Sequence, residues 1–477
     1  MKATIMKFGG TSLEGATAFQ NAARLVSERQ ARRPVVVVSA MAGFTDALIG
    51  SVKQALSAGA ASGAGTLEKH FDRHLRVIDV LLRDEAPRMR KLVDKSRSEI
   101  LELLKSTTTN TDQDHKRRRF ADVVASYGER LSAAMLAAVL VENKVSARDV
   151  DARQLIITND EYGCATPLID ETFRRTQEQL KPLIESSCVP VLGGFIGSTM
   201  TGETTTLGRG GSDYTAAIIG AALESEEIQI WTDVPGVLTA DPRLAPKART
   251  VPQLSFEEAA ELAYFGAKVL HPKTLQPAIE RNIPVRICNS RSEESGSTLV
   301  GAETEKSPQT VKAIAHKTGV TTLQVTSARM LGAYGFLRAI FEIFDRHRTA
   351  VDVVTTSEVS VSLSLDDVSA LPGIVEELEK LGSVSVEEKK AILCIVGEGL
   401  RNTPGIAARV FSTISDINVS LISQGASRIN LTFAVEEDRA REAVIRLHKE
   451  FFETSNEENA ITNRVTREVE DRDRVMG

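Results

Sequence analysis

The stretch Ala3-Thr4-Ile5-Met6-Lys7-Phe8-Gly9-Gly10-Thr11-Ser12 runs from an apolar strand into two glycines and then opens a helix. Glycines at such a turn let the backbone approach a bound group closely, and the free N–H groups of a helix start face an anion. Lys7 adds a mobile positive charge. The spacing is neither that of a P-loop nor that of a dinucleotide fingerprint. These residues therefore specify a phosphate site at a strand-to-helix turn, or else a plain tight turn with a surface lysine. Outward from it, apolar runs bounded by glycine alternate with helical-period segments to about residue 290, with candidate strands at Thr4–Phe8, 35–39, Val189–Gly193, 228–232 and 284–288. That alternation predicts βαβ units and an α/β fold with a mainly parallel sheet.

The segment 66–105 is charged, leucine-spaced and free of turn signals except Pro87, which predicts a helical excursion outside the core. Segment 290–309 is rich in Ser, Glu and Gly, ends in Ser307-Pro308 and predicts a linker. Beyond it the pattern becomes strand 321–325, helix 336–348, two strands through 365, helix 367–381 and a strand VSVEE. From Ala391 the same order of elements recurs, so two ferredoxin-like units are expected in tandem. The expected boundaries are 1–295 for the larger unit, 310–388 for the first small unit and 389–453 for the second, which shares strands with the first. Residues 454–477 are polar and charge-dense, with too little apolar surface to offset the entropy of ordering, so a flexible tail is expected.

With 477 residues, 42% hydrophobic and 26% charged, the chain has ordinary globular composition and length for two or three domains. The net charge of −6 supplies no basic field for nucleic acid or an anionic membrane, so no such partner is expected. No membrane span and no charged or apolar leader is evident, which predicts a cytoplasmic protein. Cys164, Cys188, Cys288 and Cys394 lack metal-ligand spacing and read as buried reduced thiols. The basic run 116–119 reads as a solvated face and Trp231 as core.

A second glycine cluster, Gly208-Arg209-Gly210-Gly211-Ser212-Asp213, precedes an apolar helix. The planar fork of Arg209 suits a carboxylate or a phosphate. Asp213 either orients a lysine or caps the helix. Two phosphate-friendly turns and an arginine suggest a kinase, with the substrate left open.

KFGGTS at Lys7–Ser12, GGFIG at 193–197, GRGGSD at 208–213, WTDVPGV at 231–237, DPR at 241–243 and FGAKVLHP at 265–272 together resemble the aspartokinase family, in that family's order. The resemblance spans almost the whole chain to about residue 452, and is similar to the lysine-sensitive type with tandem ACT domains. It implies an amino-acid-kinase fold followed by two ACT domains, and transfer of the ATP γ-phosphate to the β-carboxylate of L-aspartate. By the same resemblance Lys7 stabilises the transferred phosphoryl group, Asp213 organises Lys7, and Arg209 holds substrate carboxylates. Glu129 binds the aspartate amino group and Thr45 also contacts substrate; from the residues alone, Glu129 is a polar position on a helix. ATP contacts are implied at Lys7, Gly9, Gly10, Ser39, Gly210, Gly211, Ser212, Thr232, Asp233, Arg243 and Lys268. Mg2+ is implied as cofactor, with no protein ligand identified.

Met330, Gly335, Phe336 and Leu337, then Val351 and Asp352, then Ser357 and Glu358, are similar to the effector site of lysine-inhibited aspartokinases. Asp352 and Glu358 would meet a cationic amino acid, lysine, with threonine as the alternative effector. ACT domains pair across a homodimer, so a dimer is expected, with a tetramer as the next assembly. The rival readings are another carboxylate kinase, for acetylglutamate or glutamate, and a catalytically silent ACT-type sensor.

Overall fold

A computed structural model describes residues 2–58, 65–106, 114–266, 272–302 and 310–453. The chain divides into two compact units. The tail expected at 454–477 and most of the end of the expected linker lie outside the described residues.

In the first unit β1 (Thr4–Phe8), α1 (Ala16–Glu28), β2 (Pro34–Val38) and α2 (Phe44–Ala58) are followed by three helices, α3 (Glu68–Leu81), α4 (Ala86–Ser106) and α5 (Asp114–Glu142). Then come β3 (Ala147–Val150), β4 (Ile157–Thr158), α6 (Ile169–Glu185), β5 (Val189–Gly193), β6 (Ile196–Thr199), β7 (Thr204–Thr206), α7 (Gly211–Ala222), β8 (Glu227–Thr232) and β9 (Gln253–Ser255). After α8 (Phe256–Tyr264) the chain returns as α9 (Pro272–Glu280), β10 (Val285–Asn289) and β11 (Ser297–Gly301). The main sheet has the order β3-β5-β2-β1-β8-β10-β11-β9, parallel except between β10 and β11. Every residue of β1, β2 and β5 is buried, as unbroken runs such as Pro34-Val35-Val36-Val37-Val38 require of strands covered on both faces.

Two expectations are corrected here. The segment 66–105 forms two helices, and Phe71, Val77, Ile78, Met89, Val93, Ile100 and Leu104 join the main core, so it does not lie outside it. Its apolar residues form helical stripes that a high charge count disguises. The linker expected at 290–309 contains β11, where Thr298 and Val300 alternate inward and pair with β10. Among the described residues α5 alone is long and apolar enough to span a bilayer, and 89% of its apolar window is buried inside the unit, the mark of a core helix.

In the second unit β12 (Ala313–Thr326), α10 (Phe336–Arg346), β13 (Val354–Thr356), β14 (Ser360–Leu365), α11 (Leu371–Leu378) and β15 (Ser383–Val396) precede α12 (Ile406–Thr413), β16 (Val419–Gln424), β17 (Asn430–Glu436) and α13 (Glu437–His448). All six strands form one sheet, ordered β13-β14-β12-β15-β17-β16. The two repeats share their central strands. Residues 321–326 of β12 pair with β14, while residues 390–396 of β15 pair with β17. A bulge between Lys317 and Val320, with Gly319 at φ +73°, divides β12 into its two halves. Each half has its own core, one around Leu323, Ile340, Phe344 and Leu363, the other around Leu393, Val410, Phe433 and Leu447.

The chain segments Leu238–Val251 and the described part of Glu257–Lys268 belong to this second unit. Ala240 and Ala245 join its core, and Thr239 Oγ1 lies 3.0 Å from His448 Nε2. Lys312 and Glu258 form a buried ion pair at 2.8 Å. Of the four cysteines, Cys288 and Cys394 are buried, but Cys164 is exposed, and all are free.

Candidate active site

Ligands of open α/β sheets bind at the carboxyl ends of strands where the strand order reverses. That point is β1, with β2 on one side and β8 on the other. Its end carries Lys7 and Gly9, the end of β2 leads to Ser39, and the end of β8 holds Thr232 and Asp233. Gly9 N donates to the carbonyl of Trp231 at 3.1 Å, and Ser39 N to that of Phe8 at 3.0 Å, so the three strand ends are locked together. Trp231 itself is buried and stacks on Phe8, a packing role.

A cleft of about 610 Å³ is lined by Lys7, Gly10, Ser39, Thr45, Glu129, Arg209, Gly210, Gly211, Ser212 and Asp213, among others. Lys7 Nζ sits 2.6 Å from Asp213 Oδ1. Asp213 thus pairs with a lysine, and its place in the first turn of α7 also suits the helix dipole. Gly208 and Gly210 adopt φ +74° and +73°, the left-handed turn that lets the chain enter α7 with Arg209 exposed. Ser39 Oγ donates to Ser212 Oγ at 3.0 Å, joining the two phosphate-friendly turns.

Glu129 reaches this cleft from the middle of α5 and is only 3% exposed. Its Oε1 accepts from Ala40 N at 3.2 Å and from Thr45 Oγ1 at 3.4 Å, whereas Oε2 is buried without a partner. Burial, only partly offset by those hydrogen bonds, pushes its pKa up to about 8. A carboxylate in that state wants a cation. Close approach by glycine brings it there: a Cβ on Gly193 would meet Glu129 at 2.9 Å, and one on Gly128 would meet Ala40 at 2.7 Å.

Further residues of the cleft carry no signal in a single sequence. Asp122, one helical stripe from Glu129, accepts from Gly163 N and Thr206 N, both at 2.9 Å, and from Thr206 Oγ1 at 2.7 Å. It ties α5 to the strand that leads into Arg209. Phe195 holds a left-handed φ of 66°, costly for an aromatic residue, with its N–H donated to Thr215 Oγ1 at 3.0 Å.

Of the remaining expected contacts, Thr232 and Asp233 bond each other at 3.2 Å at the end of β8. Arg243 belongs to the second unit, where its exposed guanidinium clasps Asp241, with Nη2 to Oδ2 at 2.6 Å. Lys268 lies outside the described residues.

In the second unit the expected effector residues lie on three segments: the approach to and first turn of α10, the chain just before β13, and the turn between β13 and β14. Gly335 caps that helix at φ +80°, Phe336 is half-buried, and Leu337 is exposed. Met330 and Val351 pack against the first core. Ser357 Oγ lies 2.7 Å from Ser360 Oγ, and Glu358 is exposed. The Asp352 side chain is 4% exposed, accepts a hydrogen bond from the Tyr264 hydroxyl and lies 3.8 Å from Lys317 Nζ. Burial raises its pKa.

Comparison with known proteins extends this picture. The chain matches the amino acid kinase family over residues 2–289 and the ACT domain over residues 393–451. It is 37% identical over 459 residues to lysine-sensitive aspartokinase 3 of Escherichia coli strain K12, covering 94% of this chain and 99% of that protein. The crystal structure of E. coli aspartokinase III in complex with aspartate and ADP, an R-state, superposes with a TM-score of 0.80 at 35% identity, over 95% of this chain and 100% of that one. The same enzyme in complex with lysine and aspartate, a T-state, gives a TM-score of 0.77 at 36% identity and the same coverage.

Proposed function

The chain belongs to the aspartokinase family, and from that premise we propose how its cleft performs the reaction. An aspartokinase transfers the γ-phosphoryl group of ATP to the β-carboxylate of L-aspartate, giving 4-phospho-L-aspartate. Such transfer needs an aligned acceptor and stabilised charge on the moving oxygens. The acceptor carboxylate is already ionised at neutral pH, so no general base is required.

Lys7 neutralises the transferring phosphoryl oxygens, and Asp213 fixes its ammonium at 2.6 Å. Arg209 grips substrate carboxylate, and the unpaired Oε2 of Glu129 receives the α-ammonium, with Thr45 beside it. Gly9, Gly10, Gly210 and Gly211 let the backbone come close to the phosphates, and Ser39 and Ser212 bring hydroxyl groups to them; Thr232 and Asp233 serve the nucleoside, and Arg243 and Lys268 are further cationic contacts. Among the described residues no three His, Cys, Asp or Glu side chains cluster to hold a metal. A Mg2+ arriving with the nucleotide would supply charge neutralisation at the phosphates.

Regulation by lysine is part of this reading, with Asp352 and Glu358 meeting its side-chain ammonium and Met330, Gly335, Phe336, Leu337, Val351 and Ser357 forming the rest of the site. A homodimer through the ACT units, extending to a tetramer, in the cytoplasm completes it.

The observation that carries the reading is the convergence of Lys7, Arg209 and the orphaned Glu129 oxygen on one cleft. The test is ADP release with aspartate, glutamate and acetylglutamate in parallel, with hydroxylamine trapping of any acyl phosphate. Only aspartate should respond; equal turnover with either rival overturns the substrate assignment.

A further inference from the structure

We propose that Arg73, on α3, is a positioning residue for phosphoryl transfer that clamps the two loops at the phosphate end of the cleft. Its Nη1 donates to the carbonyl of Ala42 at 2.8 Å and its Nη2 to the carbonyl of Glu14 at 2.8 Å. Ala42 lies in the loop that carries Ser39 and leads to Thr45. Glu14 ends the short helical turn Gly10–Leu13 that follows Lys7 and Gly9. The loops already touch, since Ala42 N donates to the Gly10 carbonyl at 3.2 Å and a Cβ on Gly10 would stand 2.9 Å from the Ala40 carbonyl.

One planar fork bridging two carbonyls fixes both the spacing and the relative tilt of the loops, which the single ammonium of a lysine cannot do. The clamp has a firm base. The Phe44 ring at the start of α2 lies 5.4 Å from His70, 5.6 Å from Phe71 and 4.9 Å from His74, seating α3 against it. Arg73 does not line the cleft; it lines a separate groove with Lys69, His70 and Arg76. It therefore acts on the reaction only through the loops, where a shift of 1 Å can cost about 100-fold in rate.

This inference rests on the roles assigned above to Lys7, Gly9, Gly10, Ser39 and Thr45, and its test separates the two. Full-length wild type, Arg73→Ala, Arg73→Lys and Lys7→Ala are compared by steady-state kinetics and thermal unfolding. Arg73→Ala should lose roughly 10- to 100-fold in kcat, with a smaller change in KM for either substrate. Millimolar guanidinium ion should restore part of that turnover and none of the loss in Lys7→Ala. Arg73→Lys should fold and remain about tenfold below wild type, and it carries the test if the alanine variant does not fold. Turnover within about twofold of wild type in the folded variants overturns the clamp, as does a loss that guanidinium leaves untouched. Wild-type turnover in Lys7→Ala would instead unseat the reading of the cleft.

Discussion

At the scale of single residues, the cleft separates a charge that acts on the transition state from one that acts on binding. Lys7 faces Asp213 at 2.6 Å and would meet developing phosphoryl charge, so Lys7→Ala should lower kcat by roughly 100-fold or more with modest change in KM. Stopped-time ADP assays check this, and near-normal turnover removes Lys7 from the mechanism. Glu129 behaves differently, because burial holds its pKa at about 8 in the free protein. Between its ordinary value of 4.5 and about 8 the folded chain keeps a proton that the unfolded chain has lost, so this group erodes stability as pH rises through that window and adds no further loss above it. Arrival of the aspartate ammonium favours the carboxylate, so binding at neutral pH should expel a proton and aspartate affinity should rise with pH until about 8. Calorimetry in buffers of different ionisation enthalpy measures the proton; Glu129→Gln should abolish its release and flatten the pH profile.

At the scale of elements, glycines decide how closely helices approach strands, and this is where the sequence was only partly legible. The strands β1 and β5 coincide with the runs read from TIMKF and VPVLG, because a strand buried on both faces is an unbroken apolar run. The charged helices α3 and α4 were expected outside the core, since one residue in four along them can be buried without lowering their charge density. Lys7, Arg209 and Asp213 were legible from glycine turns. Glu129, Asp122 and Arg73 lie in helices, and only tertiary contacts separate them from ordinary polar positions. Gly194 illustrates such a contact: a Cβ there would stand 2.7 Å from the Cα of Ser212. Gly194→Ala should therefore push α7 away from Ser39, destabilising the protein by about 1–3 kcal/mol through overpacking and lowering turnover as well. Chemical denaturation with matched kinetics checks both, and an unchanged midpoint would show that the helix yields freely.

At the scale of the whole molecule, amino-acid sensing has to be read out as a change in turnover. Asp352 sits in the second unit with its carboxylate buried between Tyr264 and Lys317. Asp352→Ala should leave kcat without lysine near its wild-type value and raise the lysine needed for half-inhibition at least several-fold, on a typical allosteric coupling of about 1–3 kcal/mol. Inhibition curves against lysine check it, and a wild-type rate untouched by saturating lysine discards the effector assignment. The shared strands β12 and β15, each 14 residues long, carry a practical corollary. A splice between residues 388 and 389 would sever a continuous strand and strip each repeat of a partner, so neither half is a module that can be transplanted. Because Leu238–Val251 and part of the FGAKVLHP region travel with that sheet, anyone grafting a foreign sensor onto this kinase must exchange those inserts too, or the chimaera inherits a regulator whose foundations were left behind in the donor.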